Sequence, residues 1–181
     1  MDPIPGRQEL TVTSWKVQFY GIFAAAIAFL ILSLPFEYLY GRPIFRFEEL
    51  TRSGIIAAIL TAFAGIAIHE LIHGLTAIWY ARIPVREAKF GFQWKSMTPY
   101  FHSKVPIPAG KYRIVVMMPL ILLGILPYAV GMLTANGWIT AFGVLFILAA
   151  GGDLLILWLM RGLLPDRLVQ DHPEKVGLIV S

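Results

Sequence analysis

The sequence predicts an all-α integral membrane protein of four transmembrane helices, with a small cytoplasmic β-hairpin at the membrane interface between helices 2 and 3. Three observations predict it. Four apolar stretches are each long enough to cross a bilayer. Hydrophobic residues make up 57% of the 181 residues and charged residues only 14%, where soluble proteins carry roughly 25% charged residues. So few charges cannot cover a globular core with polar surface, and a bilayer is the natural solvent. Lysine and arginine, finally, gather on one side of the apolar stretches.

A helical span needs about 20 apolar residues. The first, about 15–34, ends in Pro35-Phe36-Glu37-Tyr38 rather than in a small-x-small cleavage site, so it reads as a retained span and not a secretory signal. The second covers about 54–81. The third, about 114–134, contains Pro119 and Pro127, which are expected to kink it. The fourth, about 138–160, is separated from the third by the turn signal Ala135-Asn136-Gly137, which predicts an antiparallel helical hairpin. Between the second and third spans lies an interfacial loop, 83–110. There Lys89-Phe90-Gly91-Phe92-Gln93-Trp94 alternates aromatic with polar or small residues, the pattern of a half-buried strand. A second strand is expected from Pro99 to Val105, making a hairpin anchored at the interface by Phe90, Phe92, Trp94 and Tyr100. An irregular amphipathic loop is the alternative there. A charged cytoplasmic tail, 161–181, closes what is expected to be one membrane domain over 1–181.

Charge sets the topology. Twelve Lys and Arg fall in the N-terminal segment, the 83–110 region and its flanks, and the tail; only Arg42, Arg46 and Arg52 fall on the other side. That bias predicts a multi-pass protein of the cell membrane with both termini cytoplasmic. The net charge of +4 is carried by loops beside apolar runs, not by a basic stripe with interleaved aromatics, so nucleic acid is not an expected partner and the lipid bilayer is. Cysteine is absent, so any metal site must be built from histidine and carboxylate.

Chemistry concentrates in the second span at His69-Glu70-Leu71-Ile72-His73. Two histidines four apart project from one helical face about a turn apart, the spacing at which both can ligate one zinc ion. Glu70, next to the first histidine, is placed to act as general base toward a water at that ion. Burying His and Glu in a span costs several kcal/mol unless they are paired or face a cavity. The plainer reading is a small-residue packing stripe, Ala58, Ala62, Gly65, His69, His73 and Ala77, that includes hydrogen-bonded histidines.

A catalytic zinc needs a third protein ligand. Asp153 is the only other ionisable residue deep in a span. Counting back from Arg82 and Arg161, His73 and Asp153 both lie roughly 12–14 Å below the cytoplasmic ends of their helices. Ala149-Ala150-Gly151-Gly152, just before it, clears side-chain bulk for a helix or an extended substrate. A structural carboxylate or an ion-pathway residue is the alternative role for Asp153. His102 is expected to be interfacial or solvated, with the metal or substrate as its lesser alternative, and His172 solvated.

On His69-Glu70-Leu71-Ile72-His73-Gly74 and the late Gly151-Gly152-Asp153, the chain resembles the membrane-embedded zinc metalloproteases related to the site-2 protease, and most of all the small prokaryotic zincin peptidases of the membrane. It differs from site-2 proteases in lacking their Asn and Pro ahead of an Asp-Gly pair. The resemblance implies a zinc metalloendopeptidase that cuts membrane or membrane-proximal proteins, with Zn2+ held by His69, His73 and Asp153 and with Glu70 as catalytic base. Two other classes stay open: a catalytically inactive, protease-like scaffold, and a metal-binding transporter or sensor.

Overall fold

Where no water reaches, an apolar segment must satisfy its backbone N–H and C=O groups within itself, and a helix does so. The computed structural model describes residues 8–45, 51–93, 98–172 and 175–181, and there the apolar runs are helical. They form α1 (Ser14–Tyr40), α2 (Arg52–Trp79), α3 (Ala109–Pro119), α4 (Leu126–Leu133), α5 (Gly137–Ala149) and α6 (Gly151–Leu159). Three segments, Phe19–Tyr40, Arg52–Trp79 and Ala109–Leu133, are long and apolar enough to cross a membrane, with mean hydropathies of 2.2, 2.1 and 2.3; α5 and α6, bent by 40°, make a fourth if taken as one span.

Three departures from the expected spans have local causes. The first helix runs on through Pro35 to Tyr40. The third does not break at its prolines. A π-helical stretch, Leu120–Ile125, joins α3 to α4, and Pro127 follows it in the first turn of α4. The wider π turn takes up the irregularity that a proline ring imposes on the carbonyl one turn back. The fourth bends at Ala150, where two consecutive glycines, poor helix formers, begin α6 and leave Asp153 in its first turn.

The chain divides into two compact units: Met1–Gly21 with Glu70–Met118 and Gly152–Ser181, and Ile22–His69 with Pro119–Gly151. The second unit contains the predicted helical hairpin. Asn136 caps α5 by accepting the Ile139 N–H at 3.1 Å, and Ala135 takes a left-handed φ of 52°. Tyr128 donates to the Leu32 carbonyl at 2.9 Å, Tyr40 to the Met132 carbonyl, and Arg42 to the Ala135 carbonyl at 2.7 Å. At Gly131 the two helices touch backbone to backbone: a Cβ there would stand 2.3 Å from the Thr140 nitrogen. Gly131→Ala is therefore expected to cost about 1–3 kcal/mol and lower the thermal unfolding midpoint in detergent. Gly21→Ala, whose Cβ would meet nothing within 4 Å, should not lower it.

The first unit corrects the all-α expectation. Besides helix it holds a four-stranded antiparallel sheet, in the order β1 (Gln8–Val12), β6 (Val176–Val180), β5 (Leu168–Asp171), β4 (Ile107–Pro108). Thus the segment expected to be a plain tail, 161–181, supplies two strands, and the residues before the first helix supply a third. Val169, Leu178 and Val180 are buried from this sheet against Ala77, Val115 and Met160. Gly177 sits at φ 146°, and a Cβ there would stand 2.1 Å from the Leu10 carbonyl oxygen, so the β1–β6 pairing depends on glycine. His172, expected in solvent, is covered instead: its Nε2 lies 3.5 Å from Glu9 Oε2. Arg113, counted above only as a topological charge, donates to the Met160 and Leu163 carbonyls at 2.7 and 2.6 Å, capping the end of α6.

The expected hairpin is present as β2 (Ala88–Gln93) and β3 (Thr98–Ser103), antiparallel, with Phe90 opposite Phe101 and Lys89 opposite His102. Trp94, proposed as an anchor, lies outside the described residues.

Candidate metal centre

Helix α2 carries His69 and His73 on one face, where both are buried at 9% and 8% exposure, while Ile68 and Leu71 beside them are 44% and 45% exposed. The inward face is thus the one bearing the imidazoles. From the first turn of α6, Asp153 reaches the same place. One nitrogen of each histidine and one Asp153 oxygen lie within 4.8 Å of one another, and His73 Nε2 is 3.4 Å from Asp153 Oδ1. Ligands tetrahedrally placed about 2.0–2.2 Å from a zinc ion stand roughly 3.4 Å apart, so this pair has the right separation.

The tautomer of His73 follows from its other nitrogen. Nδ1 is 2.9 Å from the Val115 carbonyl oxygen. A carbonyl only accepts, so Nδ1 carries the hydrogen, and in the neutral imidazole Nε2, on the side of Asp153, is the nitrogen with the lone pair to offer a metal. Two neutral imidazoles and one carboxylate are a donor set that suits zinc. The residues present fit the ion that the motif implies.

Glu70 is held by the hairpin. Its Oε2 accepts the Phe101 backbone N–H at 2.8 Å. The hairpin reaches α2 because Gly74 has no side chain: a Cβ at Gly74 would stand 2.0 Å from Phe90 Cζ and 3.2 Å from the Phe101 ring. The two rings pack on each other with centroids 5.5 Å apart. Alternating aromatics on the strand and a glycine just after the motif were the sequence signal for this contact, although no residue pattern could announce a backbone N–H bound to Glu70.

The structure therefore brings together His69, His73 and Asp153, with Glu70 on the intervening turn. His102 is not in the group; its Nδ1 faces Asp171 Oδ2 at 3.7 Å. Glu87 stands beside Arg86. Gly151 and Gly152, expected to admit a close neighbour, meet nothing within 4 Å. Sequence reasoning missed Phe101, the Val115 carbonyl, and the pair Tyr112 and Asp171, whose side chains are hydrogen-bonded to each other.

An H-E-x-x-H helix with an aspartate beside its imidazoles, on an apolar helical scaffold, has the donor set of a zincin-type metallopeptidase. The chain belongs to the family described as Putative zincin peptidase, which it matches over residues 62–163, more than half its length and a stretch that includes both histidines and Asp153. No curated protein and no solved structure matches the chain.

Proposed function

We propose that this protein is a membrane-embedded zinc metallopeptidase that hydrolyses peptide bonds of membrane or membrane-proximal proteins, with His69, His73 and Asp153 as ligands and Glu70 as general base. The observation that carries the reading is the convergence of three donor atoms within 4.8 Å, one of them oriented by the Val115 carbonyl. Bound zinc supplies a Lewis acid that polarises the scissile carbonyl and acidifies a water. Glu70 takes the proton from the attacking water and returns it to the leaving amine. The Phe101 N–H fixes how its carboxylate is turned.

That N–H also marks where a substrate would lie. Lys104 N–H donates toward β2, to the Glu87 carbonyl at 2.9 Å, whereas Phe101 N–H points away from β2 to Glu70. The outer edge of β3 thus runs past the base, and an extended peptide added to that edge would cross it. A helical substrate must first unwind, since its carbonyls are already hydrogen-bonded. Alanine at Phe90, Phe92 or Trp94 is expected to lower kcat/KM by about tenfold or more and to leave zinc content unchanged. Equal loss of cleavage and zinc overturns this role for the hairpin.

Several features favour a bilayer. Phe23, Ile27, Leu30, Ile31 and Leu34 of α1 are each 58–61% exposed, an apolar surface that water does not tolerate. The pairing of strands β1 and β6 with each other supports a reading with an even number of spans and both strands on one side, and the Lys and Arg bias favours the cytoplasmic side for them. A transporter would need a polar path. The cavity of about 710 Å³ in the second unit is lined by residues such as Ala58, Ala62, Phe142 and Leu145, and none of the described residues that line it is ionisable.

The test is hydrolysis by the zinc-loaded full chain in detergent micelles, offered fluorescein-labelled casein and a fluorogenic single-span peptide. Cleavage of either, abolished by a chelator and restored by zinc, is the expected result. A zinc-loaded chain that cuts neither overturns the reading.

A further inference from the structure

Side chains from strand β5 converge on β3 at the point where it meets Glu70. The Tyr112 hydroxyl, near the start of α3, donates to Asp171 Oδ1. Asp171 Oδ2 stands 3.7 Å from His102 Nδ1. The neighbouring Gln170 donates from Nε2 to the Ser103 carbonyl at 3.1 Å. Three successive residues of β3 are therefore engaged from outside the hairpin: Phe101 by Glu70, His102 by Asp171 and Ser103 by Gln170.

We propose that Asp171 and Gln170 form a clamp that sets the position of β3 against Glu70, which makes strand β5 part of the peptidase machinery and Asp171 a positioning residue. Its consequence for catalysis rests on the peptidase reading; the clamp itself does not.

The argument is one of unequal support. Strand β5, which carries the clamp, is paired on both sides, with β6 and β4, and Tyr112 behind it belongs to the buried core at 5% exposure. Among the described residues strand β3 has β2 as its only sheet partner, and a two-stranded ribbon is marginally stable by itself. Holding an N–H on a carboxylate needs placement within about half an ångström, which such a ribbon does not supply unaided. Burial pushes the Asp171 carboxyl above its ordinary range, and the Tyr112 hydroxyl, His102 and His73 pull it back down; with 29% of its side chain exposed, this is a half-covered carboxylate in a network, not a sealed acid. The clamp also limits what can dock. Gln170 occupies the Ser103 carbonyl and Pro99 has no N–H to offer. Glu70 likewise occupies the Phe101 N–H, so along the described edge the Phe101 carbonyl is the backbone group beside the base that is left to pair with a substrate.

The test is hydrogen exchange read by mass spectrometry on the zinc-loaded full chain in detergent, with zinc content measured alongside. Asp171→Ala is expected to speed exchange across Thr98–Ser103 roughly tenfold and Gln170→Ala by less, with β1, β6 and zinc content unchanged. Asp171→Asn, which still accepts from Tyr112, is expected to restore most of the protection. Glu9→Gln, which alters an exposed ion pair with Lys175 in the same sheet, should leave β3 as it is. Should Asp171→Ala fail to fold, Asp171→Asn and Gln170→Ala decide. Unchanged β3 protection in both alanine variants overturns the clamp, as does faster exchange spread equally over β1 and β6. The two readings fail separately. A clamp that behaves as expected in a chain that cuts nothing removes the peptidase, and a peptidase whose β3 ignores both substitutions removes the clamp.

Discussion

Zinc content is expected to fall from about one ion per chain to none when any of His69, His73 or Asp153 is replaced by alanine, because a catalytic zinc site needs three protein ligands and two cannot hold the ion through purification. Removing even a group that only orients a ligand costs roughly ten- to a hundredfold in affinity, so removing a ligand should cost more. The three variants need not be equal. His73 is anchored by the Val115 carbonyl and its Nε2 faces Asp153, so its loss takes away both a donor and the neighbour of the carboxylate. His172→Ala, outside the group of His69, His73 and Asp153 and beside Glu9, should keep its zinc. Elemental mass spectrometry of detergent-purified protein reads all four. Zinc that survives Asp153→Ala but not His69→Ala would move the third ligand elsewhere, with His102 the first to test. A wild-type chain that takes up no zinc when supplied would favour an inactive scaffold.

The site was legible in the sequence to the extent that its signals are local or scarce. His69 and His73 advertise a shared face by spacing alone. Asp153 stands out because a carboxylate in an apolar helix is rare, and counting residues to the helix ends was enough to bring it level with His73. The hairpin was legible because Phe90 and Phe92 alternate with small or polar residues. What escaped is non-local. Strands β1 and β6 are short, lie far apart in the chain and have no turn between them, so nothing in either segment signals the other; their pairing, with Gly177 against Leu10, is what makes β1 a strand. The same distance hid His172 behind Glu9 and Asp171 beside Tyr112. The bend at Ala150 was half legible: Gly151-Gly152 read as a site of close approach, while the structure uses the pair to restart the helix, so that Asp153 falls in a first turn. Backbone groups escaped as well. The Val115 carbonyl and the Phe101 N–H orient His73 and Glu70; Pro119, which lacks the N–H that would otherwise bond the Val115 carbonyl, is the one sequence sign of the first, and no side chain announces the second.

Glu70→Gln is expected to abolish hydrolysis, by roughly 10²–10⁴-fold in kcat, with zinc content and KM little changed. Glutamine has the same shape, and its amide oxygen can accept the Phe101 N–H that Oε2 accepts now, so β3 should stay where it is. What glutamine cannot do is take a proton from water. A fall in kcat alone, with binding intact, is the signature of an interaction needed only in the transition state. Glu70→Leu is the companion variant. It removes the acceptor as well as the base, so exchange across Thr98–Ser103 should quicken there and not in Glu70→Gln. If Glu70→Gln retained full biological function while binding zinc, the carboxylate would be serving as a strap for the hairpin and not as a base, and the scaffold reading would take precedence. If it lost activity while β3 kept its protection, the one atom that differs between the two side chains would carry the chemistry.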